Sequence, residues 1–237
     1  MILSAGGGLK VHCLPLGELM TNCWVLAIEQ EQPSPCWVID PDDDGPVIDF
    51  LAKRNYVPQR IVITHGHGDH IRGIAGVKQR YPQAIITASA GDAHMLTDPV
   101  ANLSMLLGVK IVAPPAEQTV QPGDELTLGG TAFPGCAAQA GKSVPPTLTW
   151  KVLDLAGHTA GGVGCYSQQA GVVVVGDALF ADSIGRTDFP GCSGKRLLAN
   201  IHNHLMTLPD ATRVLPGHGA PTTIGQERLN NPYLQQE

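Results

Sequence analysis

Three things are scarce in this chain, and each scarcity removes a class of function. No apolar run approaches the length of about 18 residues that a membrane-spanning helix needs, and Met1 to Gly8 holds neither basic residues nor a long apolar core. Membrane spanning and export are therefore not expected. Basic residues are outnumbered, 15 Lys and Arg against 21 Asp and Glu, giving a formal charge of −6 and a pI near 5.8. Such a balance offers no footprint for nucleic acid or an anionic membrane surface. Paired cysteines are missing too: Cys13, Cys23, Cys36, Cys136, Cys165 and Cys192 are scattered without a Cys-x-x-Cys motif. Free thiols in a reducing cytoplasm are expected, and a Cys-rich structural metal cage is not.

What is present describes a compact globular protein. Hydrophobic residues make up 43 % of the 237 and charged residues 15 %, while 28 Gly and 19 Pro punctuate the chain with turns. This length allows one large domain or two small ones; a single domain over residues 1–237, as a monomer or a homodimer acting on a small molecule, is the expectation.

The densest chemistry lies in Ile61-Val62-Ile63-Thr64-His65-Gly66-His67-Gly68-Asp69-His70. A β-branched run of this kind suits a buried strand, and the glycines after it let the chain turn so that ligand side chains converge. Imidazole and carboxylate without thiolate favour zinc, with iron or manganese as alternatives. A lone histidine is usually structural; three with a carboxylate in six positions are not. His94, without ligand-like neighbours, is left outside the site.

The same device recurs. Leu153 to Ala156 runs into Gly157-His158-Thr159, Val172 to Val175 into Gly176-Asp177, and Arg213 to Pro216 into Gly217-His218. Strand ends can converge only if their sheets share a rim. Seven residues, His65, His67, Asp69, His70, His158, Asp177 and His218, suffice for two ions with one carboxylate between them and open positions for water, a catalytic rather than a structural pattern.

The remaining segments frame these strand ends. Val11 to Leu14 and Thr21 to Glu29 are expected to pair antiparallel, and Cys36 to Asp40 to form a third strand. The acidic turn after it reads as a solvated helix start, with Pro46 in the first turn of a helix reaching Arg54. Ile71, Ile74, Ala75 and Val77 predict one helix up to Tyr81. Asn102 to Gly108 is an apolar segment expected to lie over a cleft. The Gly129 to Pro146 interval is expected to be a loop at the end of its strand away from His158.

The order Thr-His-x-His-x-Asp-His, Gly-His-Thr, Gly-Asp and Gly-His resembles the metallo-β-lactamase superfamily. Leu179-Phe180, Ile184 to Gly191 and Glu227 to Leu234 resemble its glyoxalase II-like branch, and the likeness spans Leu14 to Leu234. It implies an α+β fold, a four-layer αββα sandwich of two mixed sheets, without the branch's C-terminal helical domain. It also implies two divalent ions, one on His65, His67 and His158, the other on Asp69, His70 and His218, with Asp177 bridging. Asp69 and Asp177 would then be catalytic, and a metal-bridging hydroxide would hydrolyse a small-molecule thioester of the hydroxyacylglutathione type. The same motifs admit a mononuclear-iron persulfide dioxygenase, or hydrolysis of another ester, lactone or β-lactam. Arg186 and Asp188 are expected to form a buried ion pair fixing the loop after Asp177.

Overall fold

The fold was analysed in a computed structural model, which describes residues 2–29, 33–130 and 146–235. One sheet holds β1 (Ile2–Ser4), β2 (Leu9–Leu16), β3 (Thr21–Ile28), β4 (Ser34–Ile39), β5 (Tyr56–Val62), β6 (Ile85–Ser89) and β7 (Gln118–Val120), in chain order. Pairing is antiparallel from β1 to β4 and parallel from β4 to β7. The second sheet draws on β8 (Glu125–Gly129), β9 (Thr147–Asp154), β10 (Val163–Ser167) and β11 (Val172–Gly176). After a small hairpin of β12 (Leu179–Phe180) and β13 (Ser183–Ile184), it is completed by β14 (Arg213–Pro216) and β15 (Thr222–Thr223). Its order is β15-β14-β11-β10-β9-β8, with only β11 and β14 parallel.

Alternation along the strands sorts side chains into three cores. Trp24, Trp37, Trp150, Val172 and Val174 lie between the sheets, where the rings of Trp37 and Trp150 meet at 5.6 Å. Val25, Val38 and Ile61 face outward onto α1 (Asp44–Arg54), α2 (Gly68–Ile71) and α3 (Ile74–Arg80), through Val47, Leu51, Ile71 and Val77. Val173 and Val175, offset by one from their neighbours, face α4 (Gly194–Asn200) and α5 (Ile224–Asn230) through Leu197 and Ile224. The period of two thus gives β11 two buried faces, and the layers run helix, sheet, sheet, helix, as expected.

Two expectations change. The single helix after His70 is two, because Gly73 packs against Pro41 and donates its N–H to the Pro41 carbonyl at 2.8 Å. The apolar spacing continues across the break because both pieces bury the same stripe. The acidic turn is only partly solvated: Asp43 caps α1 by accepting from Gly45 N–H, whereas Asp42 is buried and faces Arg72 at 3.3 Å. The 129–146 interval closes the β8–β9 hairpin, with Gly130 N–H bonded to Pro146 O at the start of β9; residues 131–145 lie outside the described residues. No helix among the described residues is long and apolar enough to cross a membrane.

Candidate metal centre

Parallel neighbours end on the same side of a sheet, and ligands in such folds gather outside the strand carboxyl ends. Here β5 delivers His65, β9 delivers His158, β11 delivers Asp177 and β14 delivers His218, all at one rim between the sheets. Gly157 and Gly176 make two of these turns at positive φ, 139° and 52°, where a side chain would also strike Leu197 or Thr64. The sheets are tied together there by Val163 N–H to Thr64 O (2.9 Å), Asn22 N–H to Gly217 O (2.7 Å) and Trp24 Nε1 to Pro216 O (2.9 Å).

The structure brings all seven sequence-predicted residues together. His65 Nε2 and His158 Nε2 each lie 3.0 Å from His67 Nδ1. Asp69 Oδ2 lies 3.5 Å from His70 Nε2 and 3.3 Å from His218 Nε2. Asp177 stands between the groups, Oδ1 at 3.6 Å from His70 Nε2, and Oδ2 at 3.7 Å from His158 Nε2 and 3.5 Å from His218 Nε2. His94 is exposed and outside this cluster, as expected.

The second nitrogen of three rings is fixed by an oxygen. His158 Nδ1 donates to Arg186 O (2.8 Å), His218 Nδ1 to Leu19 O (3.0 Å) and His70 Nδ1 to Asp40 Oδ2 (3.1 Å). Each contact holds a proton on Nδ1, so that Nε2 is the nitrogen directed at the centre. His65 Nε2 and His158 Nε2 both crowd His67 Nδ1, an arrangement that a positive charge among the three would stabilise. Tetrahedral zinc with bonds near 2.0–2.1 Å would space nitrogens roughly 3.3 Å apart, close to what is seen. The buried atoms His70 Nε2 and Asp177 Oδ1 also have no hydrogen-bond partner. The residues therefore fit a divalent cation, and both His65–His67–His158 and Asp69–His70–His218 bring their ligand atoms within 4.8 Å of one another.

Charge divides the cluster. Burial, with repulsion from neighbouring imidazoles, pushes His65 well below its ordinary pKa and His67 down to about 3. Burial also disfavours a charged His70, but Asp69 and Asp177 outweigh it and, with the Asp40 bond, hold that ring up at about 10. His218 is raised as well, burial being overcome by Asp69 and Asp177. Asp69 is desolvated, yet His70, His218 and the Thr21 hydroxyl hold it well below the carboxylate range.

Sequence reasoning missed two carboxylates. Asp40, at the end of β4, is buried in a left-handed conformation (φ 52°) that costs a non-glycine residue about 1–2 kcal/mol. It accepts from Thr64 N–H (2.8 Å), Thr64 Oγ1 (2.6 Å) and His70 Nδ1. Its signal was a strand-end position like those of the ligands, hidden by the acidic turn that follows. Asp92, also buried, bonds the loops of His65 and His158. Arg186 and Asp188 do pair, through two bonds of 2.7 Å, but on the surface, 59 % and 65 % exposed, rather than buried. The guanidinium lies over the outer face of Phe189 at 4.0 Å, which keeps it in solvent; the contribution of Arg186 to the centre is its carbonyl. Asn102 buttresses the ligand loop, its carbonyl accepting from Gly68 N–H at 2.9 Å, and Met105 and Leu106 beyond it are exposed.

Comparison with known proteins agrees with this geometry. The pattern of the Metallo-beta-lactamase superfamily matches residues 16–218. "Probable metallo-hydrolase YqgX" of Bacillus subtilis is 30 % identical over 95 % of this chain and 98 % of its own. "Hydroxyacylglutathione hydrolase GloC" of Haemophilus influenzae is 27 % identical over 95 % of this chain and 98 % of its own. Among solved structures, BLEG-1 B3 metallo-beta-lactamase superposes with a TM-score of 0.82 at 34 % identity, covering 95 % of this chain and all of that one. A family pattern running from β2 to the last histidine of the rim, and a metallo-hydrolase aligned almost end to end, establish that the chain belongs to the metallo-beta-lactamase superfamily, among its metallo-hydrolases.

Proposed function

We propose that the protein is a thioesterase of the hydroxyacylglutathione hydrolase kind, working with two divalent ions. The observation that carries this reading is Asp177, whose two oxygens face ligands of both sets. His65, His67 and His158 would hold one ion and Asp69, His70 and His218 the other, with Asp177 shared. Bound there, such ions supply Lewis acidity toward a carbonyl and a water ionised near neutral pH.

The chain's own groups prepare the rest. Thr21 Oγ1 fixes the Asp69 carboxylate at 3.0 Å, and Asp40 holds the His70 ring. Cys192, the thiol beside His158, is not poised as a nucleophile: it donates to His158 O at 2.7 Å, and partial burial raises its pKa. The rim is flanked by Phe189, 6.1 Å from the His67 ring, by Phe180, 6.3 Å from the His218 ring, and by the half-exposed Leu19 and Met20. These apolar flanks suit an acyl thioester better than a phosphodiester, and Arg186, a cation beside them, is already paired with Asp188. A leaving thiolate needs little acid help because its pKa is only about 8.5. The likeness to GloC supports the same substrate class.

A second reading, β-lactam hydrolysis, draws on the likeness to BLEG-1. Steady-state kinetics on lactoylglutathione, on the lactoyl ester of a smaller thiol and on a chromogenic cephalosporin separate the two. Thioester hydrolysis is expected, and the flanks offer few polar groups for the thiol part, so shortening it should cost less than about tenfold in kcat/KM, or about 1.4 kcal/mol. Turnover of the cephalosporin alone would transfer the assignment to the second reading.

A further inference from the structure

The three-histidine set is assembled across two sheets. His65 and His67 follow β5 in one, and His158 follows β9 in the other. The loops around them share the backbone bond from Val163 N–H to Thr64 O, and they share one buried side chain, Asp92, which is 1 % exposed. Asp92 Oδ2 accepts from Gly66 N–H (3.2 Å), between His65 and His67, and from Thr159 Oγ1 (2.6 Å), next to His158. Its Oδ1 accepts from Gly161 N–H at 2.7 Å. The contact is backbone-close: a Cβ on Gly91 would stand 2.7 Å from Gly161 Cα, and one on Gly161 would stand 2.5 Å from Asp92 N. Three donors from two loops thus converge on one carboxylate that touches no metal-ligand nitrogen.

The other set is held by different groups. Asp40 fixes His70, Thr21 fixes Asp69, and Leu19 O fixes His218. We infer that Asp92 is the positioning residue that sets the spacing of His65, His67 and His158, and that it governs the affinity of that set for a divalent ion while leaving the Asp69–His70–His218 set alone. The inference rests on the two-ion reading above. A carboxylate is needed because all three neighbours donate. An asparagine could still accept from Gly161, and Thr159 could turn its hydroxyl to accept, but its NH2 group would face the Gly66 N–H with nothing between them. Groups that orient metal ligands typically change affinity by about 10 to 100-fold when removed.

The test is a zinc titration of metal-stripped protein against a chromogenic chelator, in two backgrounds that each leave one set intact. In His218→Ala protein, Asp92→Asn should weaken zinc by about 10 to 100-fold, and Thr159→Val by about tenfold. In His67→Ala protein the same changes should leave the remaining affinity within about twofold. Thr159→Val removes a hydroxyl without touching the backbone bonds, so it decides the matter if Asp92→Asn does not fold. Equal weakening in both backgrounds, or none in the first, would overturn the inference. Uptake of a single equivalent by the unmodified protein would instead overturn the two-ion reading, while the His218→Ala comparison still judges Asp92.

Discussion

The three-histidine set is closed, with His65 and His67 held neutral, whereas the set of Asp69, His70 and His218 is charged and more open. His65, His67 and His158 are 3, 8 and 6 % exposed, and the pKa values of His65 and His67 lie far below neutrality. Their lone pairs are free at any working pH. In the other set the His218 side chain is 27 % exposed, and the carboxylates of Asp69 and Asp177 hold His70 up at about 10. Without a cation, a proton on His70 plays its part among these carboxylates. His65 and His67 would hold an ion without giving up a proton, whereas His70 would have to release one to do so. Two neighbouring sets that share Asp177 thus differ in how their affinity depends on pH, and that difference comes from the carboxylate count around each.

The change that should erase the comparison altogether is Asp177→Ala. Both sets lose a shared oxygen donor, so activity should vanish and metal retained after dialysis should fall by more than about 100-fold in affinity, beyond the usual effect of an orienting group. Metal analysis and turnover of the purified variant check this, and full occupancy with activity would break the assignment. A smaller effect sharpens the contrast: in His67→Ala protein, zinc affinity of the remaining set should rise about tenfold per pH unit from 6 to 8, because His70 gives up its proton on binding. In His218→Ala protein the same series should be shallower, because His65 and His67 carry no proton to displace. Similar slopes in the two would contradict the electrostatic difference. Next, Asp40→Asn should weaken the His70 set by about tenfold and the three-histidine set less, since Asp40 bonds His70 directly and His65 by way of the Thr64 hydroxyl.

The smallest change serves as a control beside the site. Burial raises Asp42 to about 6, against the attraction of Arg72. Its folded pKa exceeds its unfolded one, so the folded state binds more protons between about pH 4 and 6, and stability falls as pH rises through that window. Asp42→Asn should flatten this slope and stabilise the protein at pH 7 by on the order of 1 kcal/mol with metal affinity unchanged, as denaturant titrations at pH 4.5 and 7 can read.

The convergence of seven side chains was legible because they cluster where four apolar, strand-like runs end, each with a glycine beside the first ligand, a local pattern that one strand end after another repeats. The layering came from resemblance rather than periodicity. Strands buried on both faces, such as Val172 to Val175, show which residues are inside and not which sheet they join. Asp40 and Asp92 stayed hidden because their meaning is set entirely by tertiary partners, Thr64 and His70 for one, Gly66 and Thr159 for the other. In sequence they are carboxylates in an acidic turn and a short polar stretch. The Arg186–Asp188 pairing was readable at a spacing of two residues, but the side of the loop that meets solvent was not.

The central claim, two ions sharing Asp177, is tested most directly by counting metal in protein purified without additions and following lactoylglutathione hydrolysis as that metal is removed and restored. About two zinc, iron or manganese ions per chain are expected, with turnover lost on chelation and regained only as the second equivalent returns. One iron per chain, no thioester hydrolysis and oxygen uptake on glutathione persulfide would contradict the claim.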